Sequence, residues 1–535
     1  METSTATTNP LMEQTSLPKF ASIQPCHLTP AVSELIEKMQ ADFTKLEQDL
    51  EQQIADTTVA MLDYDQVLPQ VEKLQFPVGY VWGVAGHLNG VKNGDELRAA
   101  YEENQPKVVQ SMTKFAQSKA LYNALSSLQK SSLSSSASSA SLEGDDDFVT
   151  LQKRRAVEAS LRSMKLGGVG LEGQDKEKFN NMKMRLAELS TQFSNNVLDA
   201  TKAFSLTVDD PTKVQGVPAS AKAMWAQAHI QAEKKEGETI MDPDKGPWRL
   251  TLDMPSYIAV MSHLPDRDLR ETVYRASVTR ASEFSADTSK NNIPIVYEIL
   301  KLKRNMANML GFDSYAEQSL AAKMAPSVAA VTDLSDLIAK QALPAAEKEL
   351  AEILALAKEL QPQVYAHVEK LMPWDTTYFS ERLKEKKFDL TEEELRPYFA
   401  LPIVLEGLFG LVERIFNIRV KAADGDAEVW HPDVRFFHVY DADSDQHIAS
   451  FFLDPYSRPE DKRGGAWMDV CIGKSEALKR DIPVAYLTCN GSPPVGETPS
   501  LMSFREVETL FHEFGKKLSK LCATKNLSLQ FLHLF

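Results

Sequence analysis

Apolar residues recurring every three or four positions, in runs too long for any strand, dominate this 535-residue chain. After Thr29-Pro30, a cap followed by a first-turn proline, they fall at Val32, Leu35, Ile36, Met39, Phe43, Leu46, Leu50 and Ile54. That spacing lays one stripe along one side of a helix, and such a stripe must be buried against other helices. Similar patterns run from Leu97 to Leu128, Phe148 to Phe204, Asp266 to Met309 and Val328 to Leu371. The fold class is therefore mainly α.

Strand signals cluster late. Residues 434–440 (VRFFHVY) and 448–453 (IASFFL) are β-prone and joined by the polar run DADSDQH, which predicts a loose hairpin. Residues 483–490 (PVAYLTCN) supply a third candidate strand. A further helix follows this small sheet. Ser503 and Glu506 make an S-x-x-E capping box, and Val507, Leu510, Phe511, Phe514, Leu518 and Leu521 give it one apolar face.

That helix carries HEFGK, residues 512–516. Two histidines four apart lie one turn apart, with Cβ atoms roughly 5–6 Å from each other, and can share one Zn²⁺. A glutamate after the first histidine then deprotonates the metal-bound water for attack on a peptide carbonyl. His512 fits the first ligand and Glu513 the base. Lys516 occupies the second ligand's place, and an ammonium has no lone pair to give. Cys522, ten residues on, points well away from His512, and His533 is no better placed. A lone His-Glu pair on a helix is ordinarily a solvated face, so the surrounding residues must decide.

Net charge is −16, which argues against nucleic acid or anionic lipid as a partner, and no apolar run approaches a membrane span. Cys26, Cys471, Cys489 and Cys522 are scattered, as thiols in a reducing cytosol are. The N-terminal residues have neither the h-region of a signal peptide nor the arginines of a transit peptide, so the expected compartment is cytoplasmic, with an organelle not excluded.

The stretches 451–471 (FFLDPYSRPEDKRGGAWMDVC), 483–494 (PVAYLTCNGSPP) and 499–515 (PSLMSFREVETLFHEFG) closely resemble the thimet oligopeptidase family of zinc metallopeptidases, in its oligopeptidase A branch. Upstream, HLNGVKN (87–93), LRAAYEENQP (97–106), SNNVLDAT (194–201) and KLKRNMANMLGFDSYAE (301–317) resemble that branch too. The resemblance implies a two-domain helical clamshell around a deep channel, with a small sheet near the zinc-site helix. It implies a monomer cleaving short peptides with one zinc, held first by His512 and served by Glu513 as base. Gly464, Gly465, Ala466 and Trp467 correspond to the part lining the substrate backbone; they read equally well as a tight glycine turn packing a tryptophan.

The family's version continues into HEFGH, and its third ligand is a glutamate on a later helix. By this reading agreement ends at Gly515, and residues 516–535 are an aberrant tail. Gly515-Lys516 can be encoded GGT-AAG, which contains the usual start of an intron; a frameshift is the close alternative. The expected organisation is a disordered tail over 1–20, helical regions over 21–130 and 148–250, and a Ser-rich flexible insertion over 131–147. An incomplete catalytic domain over 251–515 follows. The chain as written is expected to be inactive, with a non-catalytic peptide-binding protein as the alternative.

Overall fold

A computed structural model describes residues 9–55, 62–130, 145–233 and 243–521, with side chains of 145–148 and 516–521 left out. The fold is mainly helical with two small sheets. The first long stripe becomes one helix, Leu28–Ala55, burying Val32, Leu35, Met39, Phe43 and Leu50. The longer patterns each break into shorter helices. Leu97–Leu128 divides into Asp95–Ala116 and Lys119–Lys130. Residues 148–204 divide at the turn Gly167–Gly170 into Asp145–Leu166 and Gly173–Ala203, where Gly168 takes a φ of +86° that favours glycine. Residues 266–309 become Arg267–Val278 and Ile293–Met309.

Residues 9–20 correct the expected tail. Leu11 and Phe20 are 2% and 1% exposed, and Phe20 packs edge-on against Trp430 and Phe452. Two apolar side chains are enough to hold this polar segment down, because each removes its area from water on the same core. The Ser-rich insertion lies outside the described residues up to 144.

Two short strands, β1 (Leu206–Val208) and β2 (Trp248–Leu250), pair antiparallel. They share a core with Trp225, Val260 and Val273 from the neighbouring helices. The larger sheet has five strands: β3 (Ile418–Ala422), β4 (Arg435–Asp441), β5 (His447–Tyr456), β6 (Trp467–Ile472) and β7 (Val484–Gly491). Their spatial order is β3-β4-β5-β7-β6. The expected hairpin is β4-β5, and the third candidate is β7, which lies parallel to β5. β3 and β6 carried no clear strand signal.

Both faces of the central strands β5 and β7 are covered, and alternate residues divide between two cores. Phe436, Phe452, Val484 and Tyr486 join the core of the N-terminal helices Leu28–Ala55, Leu68–Val91 and Asp95–Ala116. Phe437, Phe451, Leu453, Ala485 and Leu487 face the other way, against Leu405 and Leu408 of helix Leu401–Phe416 and Leu510 and Phe514 of helix Phe504–Leu521. That last helix is thereby fixed on one side of the sheet.

Candidate active site

The capping box starts helix Phe504–Leu521 as the sequence implies. Glu506 N–H donates to Ser503 Oγ at 3.2 Å, and Ser503 N–H donates to Glu506 Oε2 at 2.6 Å. Glu506 reaches further back: its Oε1 accepts from Ser492 N–H at 2.7 Å and from Ser492 Oγ at 3.0 Å. Ser500 Oγ donates to Ser492 O, and Arg396 Nη1 donates to Leu501 O. The loop 492–503 and the helix start are therefore one hydrogen-bonded unit. A cavity of about 380 Å³ opens beside it, lined among others by Ser220, His263, Glu393 and Arg396. Burial, with Arg382, Arg396 and Lys384 nearby, pulls the His263 imidazole down to about 4, so it is neutral near pH 7.

The helix packs against β7 and β6. His512 is exposed on it, whereas Glu513 is 6% exposed and lies close to Cys489 of β7. Burial first, then Glu513 among the acidic neighbours, pushes the Cys489 thiol up to about 12, against the pull of Lys462. The Lys516 side chain, Cys522 and His533 lie outside the described residues. Among the described residues no three His, Cys, Asp or Glu side chains come together as a metal site. His512 with Glu513 and a lysine in the second position does not fit zinc.

The Gly464–Trp467 segment opens β6, which pairs with β7 alone and so forms one edge of the sheet. Both structural features of the glycine turn are present. Gly465 has φ of +95°, and a Cβ on Gly90 would touch the Trp467 ring at 3.6 Å. Gly464 and Gly465 are exposed, so the same turn leaves its backbone open beside the strand.

Sequence reasoning missed what holds this turn. Asp454, at the end of β5, is fully buried. Its carboxylate accepts from Arg458 Nη1 at 2.7 Å and Nη2 at 2.8 Å, Lys462 Nζ at 2.8 Å and Trp430 Nε1 at 2.9 Å. Burial works to raise its pKa, but these donors hold it below the usual carboxylate range. The letters D-x-x-x-R-x-x-x-K over 454–462 set opposite charges four apart, but nothing in that spacing says that they will be interior.

Residues 260–531 match Peptidase family M3, and residues 32–176 match the Neurolysin/Thimet oligopeptidase N-terminal domain. The family match continues past Gly515, so the resemblance does not stop where the motifs placed its end. Organellar oligopeptidase A, chloroplastic/mitochondrial, of Arabidopsis thaliana is 40% identical over 96% of this chain and 61% of its own length. The probable cytosolic oligopeptidase A of the same plant is 40% identical over 96% of this chain and 69% of its own. Oligopeptidase A of Escherichia coli (strain K12) is 39% identical over 96% and 70%. The chain thus spans 61% to 70% of the length of these relatives. No described helix is long and apolar enough to cross a membrane. On this evidence the chain belongs to peptidase family M3.

Proposed function

We propose that this protein handles short peptides in the manner of a zinc-dependent oligopeptidase, and that the chain as given binds them without cleaving them. The supporting observation is the pairing of an open edge strand, β6, with the helix bearing His512 and Glu513, both against β7. A short extended peptide can add to β6 through main-chain hydrogen bonds, as peptides do at exposed sheet edges. The turn Gly464–Trp467 leaves its backbone accessible at the start of that edge. In the family the hydrolysis depends on zinc. Here the second ligand position is Lys516, and its fixed positive charge opposes a dication. His512 remains a candidate first ligand and Glu513 a candidate base, without the partners that would put them to work.

Among the described residues Cys26, Cys471 and Cys489 form no disulfide, which accords with a reducing, cytoplasmic setting, and a monomer suffices for a site built within one chain. The test is metal analysis and turnover on the purified 535-residue protein. We expect well under one zinc per chain, no cleavage of an internally quenched short peptide, and measurable binding of that peptide. Chelator-sensitive cleavage overturns the inactive reading. Absence of peptide binding overturns the peptide site.

A further inference from the structure

The turn between β5 and β6 is fastened by one side chain to an unusual degree. Lys462 has a side chain that is 0% exposed. Its Nζ donates to Asp454 Oδ1 at 2.8 Å, Tyr456 O at 2.7 Å and Cys489 O at 2.6 Å, with Asp454 O at 3.2 Å. One ammonium therefore ties the end of β5 to β7 from within the turn. Burying a lysine is costly unless all its protons are satisfied, and here acceptors surround them.

The rest of the turn is fixed by backbone contacts on either side of Lys462. Asn93 N–H donates to Asp461 O at 2.7 Å, and Arg463 N–H donates to Gly90 O at 2.9 Å. Arg458 Nη2 donates to Val91 O at 3.2 Å. Gly90 and Val91 end helix Leu68–Val91, so the turn supplies partners for carbonyls that a helix end leaves open. Asn490 Nδ2, from β7, donates to Arg463 O and Gly465 O. The Gly464–Trp467 segment thus has no freedom of its own; Lys462 and Asn490 set where it lies against β7.

We propose that Lys462 is a positioning residue for peptide binding: through Asp454, Tyr456 and Cys489 it fixes the Gly464–Trp467 turn and with it the register of the β6 edge. This rests on the edge-strand site proposed above. Lys462 itself touches no peptide. Its loss leaves Asp454 with Arg458 and Trp430, so the strand ends survive while the turn loosens.

The effect has a pH signature. Burial pulls the Lys462 ammonium down to about 8, against the opposing pull of Asp454. The other groups facing the cluster are Arg458, Asp461, His431 and Asp433 around Asp454, Lys202 beside Asp461, Cys489 on β7, and Glu506 and Glu513 on the helix beyond Cys489. Cys489 is pushed up to about 12 and His431 is held below its ordinary value by burial and Arg458, so neither titrates with Lys462.

The experiment compares wild type, Lys462→Met and Asn490→Ala. A capped peptide without ionisable groups is titrated by fluorescence anisotropy from pH 6.5 to 9, and amide exchange is followed over 463–467. We expect both variants to bind about tenfold more weakly, a difference of about 1.4 kcal/mol. Exchange should be faster over 463–467 and unchanged in β4 and β5. Wild type and Asn490→Ala should lose affinity as pH rises through about 8. Lys462→Met should show no such step, which a purely structural role would not produce. If wild type binds and both variants match it, the positioning role is wrong and the peptide site stands. If wild type does not bind, the peptide site is wrong, and unchanged exchange over 463–467 in the variants removes the positioning role too. If Lys462→Met fails to fold, the pH profile of wild type and Asn490→Ala decides: a loss of affinity through about pH 8 in both keeps the positioning role of Lys462, and a flat profile removes it.

Discussion

Replacing Glu506 by alanine should loosen the start of the His512 helix far more than replacing its capping partner Ser503. Glu506 accepts three hydrogen bonds, from Ser492 N–H at 2.7 Å, Ser492 Oγ at 3.0 Å and Ser503 N–H at 2.6 Å. Ser503 Oγ accepts one, from Glu506 N–H at 3.2 Å. Bonds to a charged acceptor are each worth about 1.5–3 kcal/mol when buried, but Glu506 is half-buried and water replaces part of what is lost. At about 1 kcal/mol per bond, Glu506→Ala costs about 3 kcal/mol, whereas losing a serine cap costs about 1 kcal/mol. Local opening makes this readable by amide exchange across 492–510. A cost of about 3 kcal/mol is roughly a hundredfold faster exchange; about 1 kcal/mol is roughly fivefold. Equal exchange rates in Glu506→Ala and Ser503→Ala would refute the reasoning, because Glu506 would then be a cap and nothing more.

Lys516→His alone should not create a zinc site, since no third His, Cys, Asp or Glu joins His512 and Glu513 among the described residues; stoichiometric zinc by metal analysis would contradict this. Asp375→Ala should destabilise by about 3–5 kcal/mol, because fully buried Arg270 would lose its carboxylate partner and keep its charge. A shift in the urea midpoint reads this out. His263 is depressed to about 4 from an ordinary 6.5, so its neutral form is favoured in the fold. Its contribution is fully present above pH 6.5 and is lost as pH falls toward 4, about 3 kcal/mol in all. His263→Phe should flatten that part of a stability-against-pH curve. Helix Val328–Leu360 exposes Val328, Val331, Leu334, Leu337, Ile338 and Leu343. Such a row should bind anilinonaphthalene sulfonate and drive concentration-dependent association in light scattering, and Leu334→Glu with Ile338→Glu should reduce both.

Long apolar periods were legible because helices bury one stripe and repeat it for many turns. Where they broke was less so: the turn at Gly167–Gly170 interrupts no more apolar positions than a turn of helix would. The hairpin and β7 showed because Phe, Val and Tyr crowd them. β6 did not, since Trp467–Ile472 has Asp469 and exposed Val470 where a buried strand would be apolar throughout. Site residues were legible only through motif. Glu513 as a base follows from the letters HE, but its burial beside Cys489 follows from β7, which lies more than twenty positions away in the chain. The Lys462 cluster was hidden for the same reason. Its partners come from β5, β7 and Trp430, and no local spacing announces that a lysine will be interior.

The two-sided sheet makes the chain's tolerance to change uneven in a particular way. Along β5, Phe451 and Leu453 serve one core while Phe452 serves the other. A conservative substitution there disturbs one core only. A single inserted or deleted residue inside 449–453 reverses the parity of everything after it, sending each side chain into the wrong compartment of a wall that has no solvent side. Length, rather than composition, is what this stretch has to preserve, and an edit that shifts it by one residue fails on both faces together.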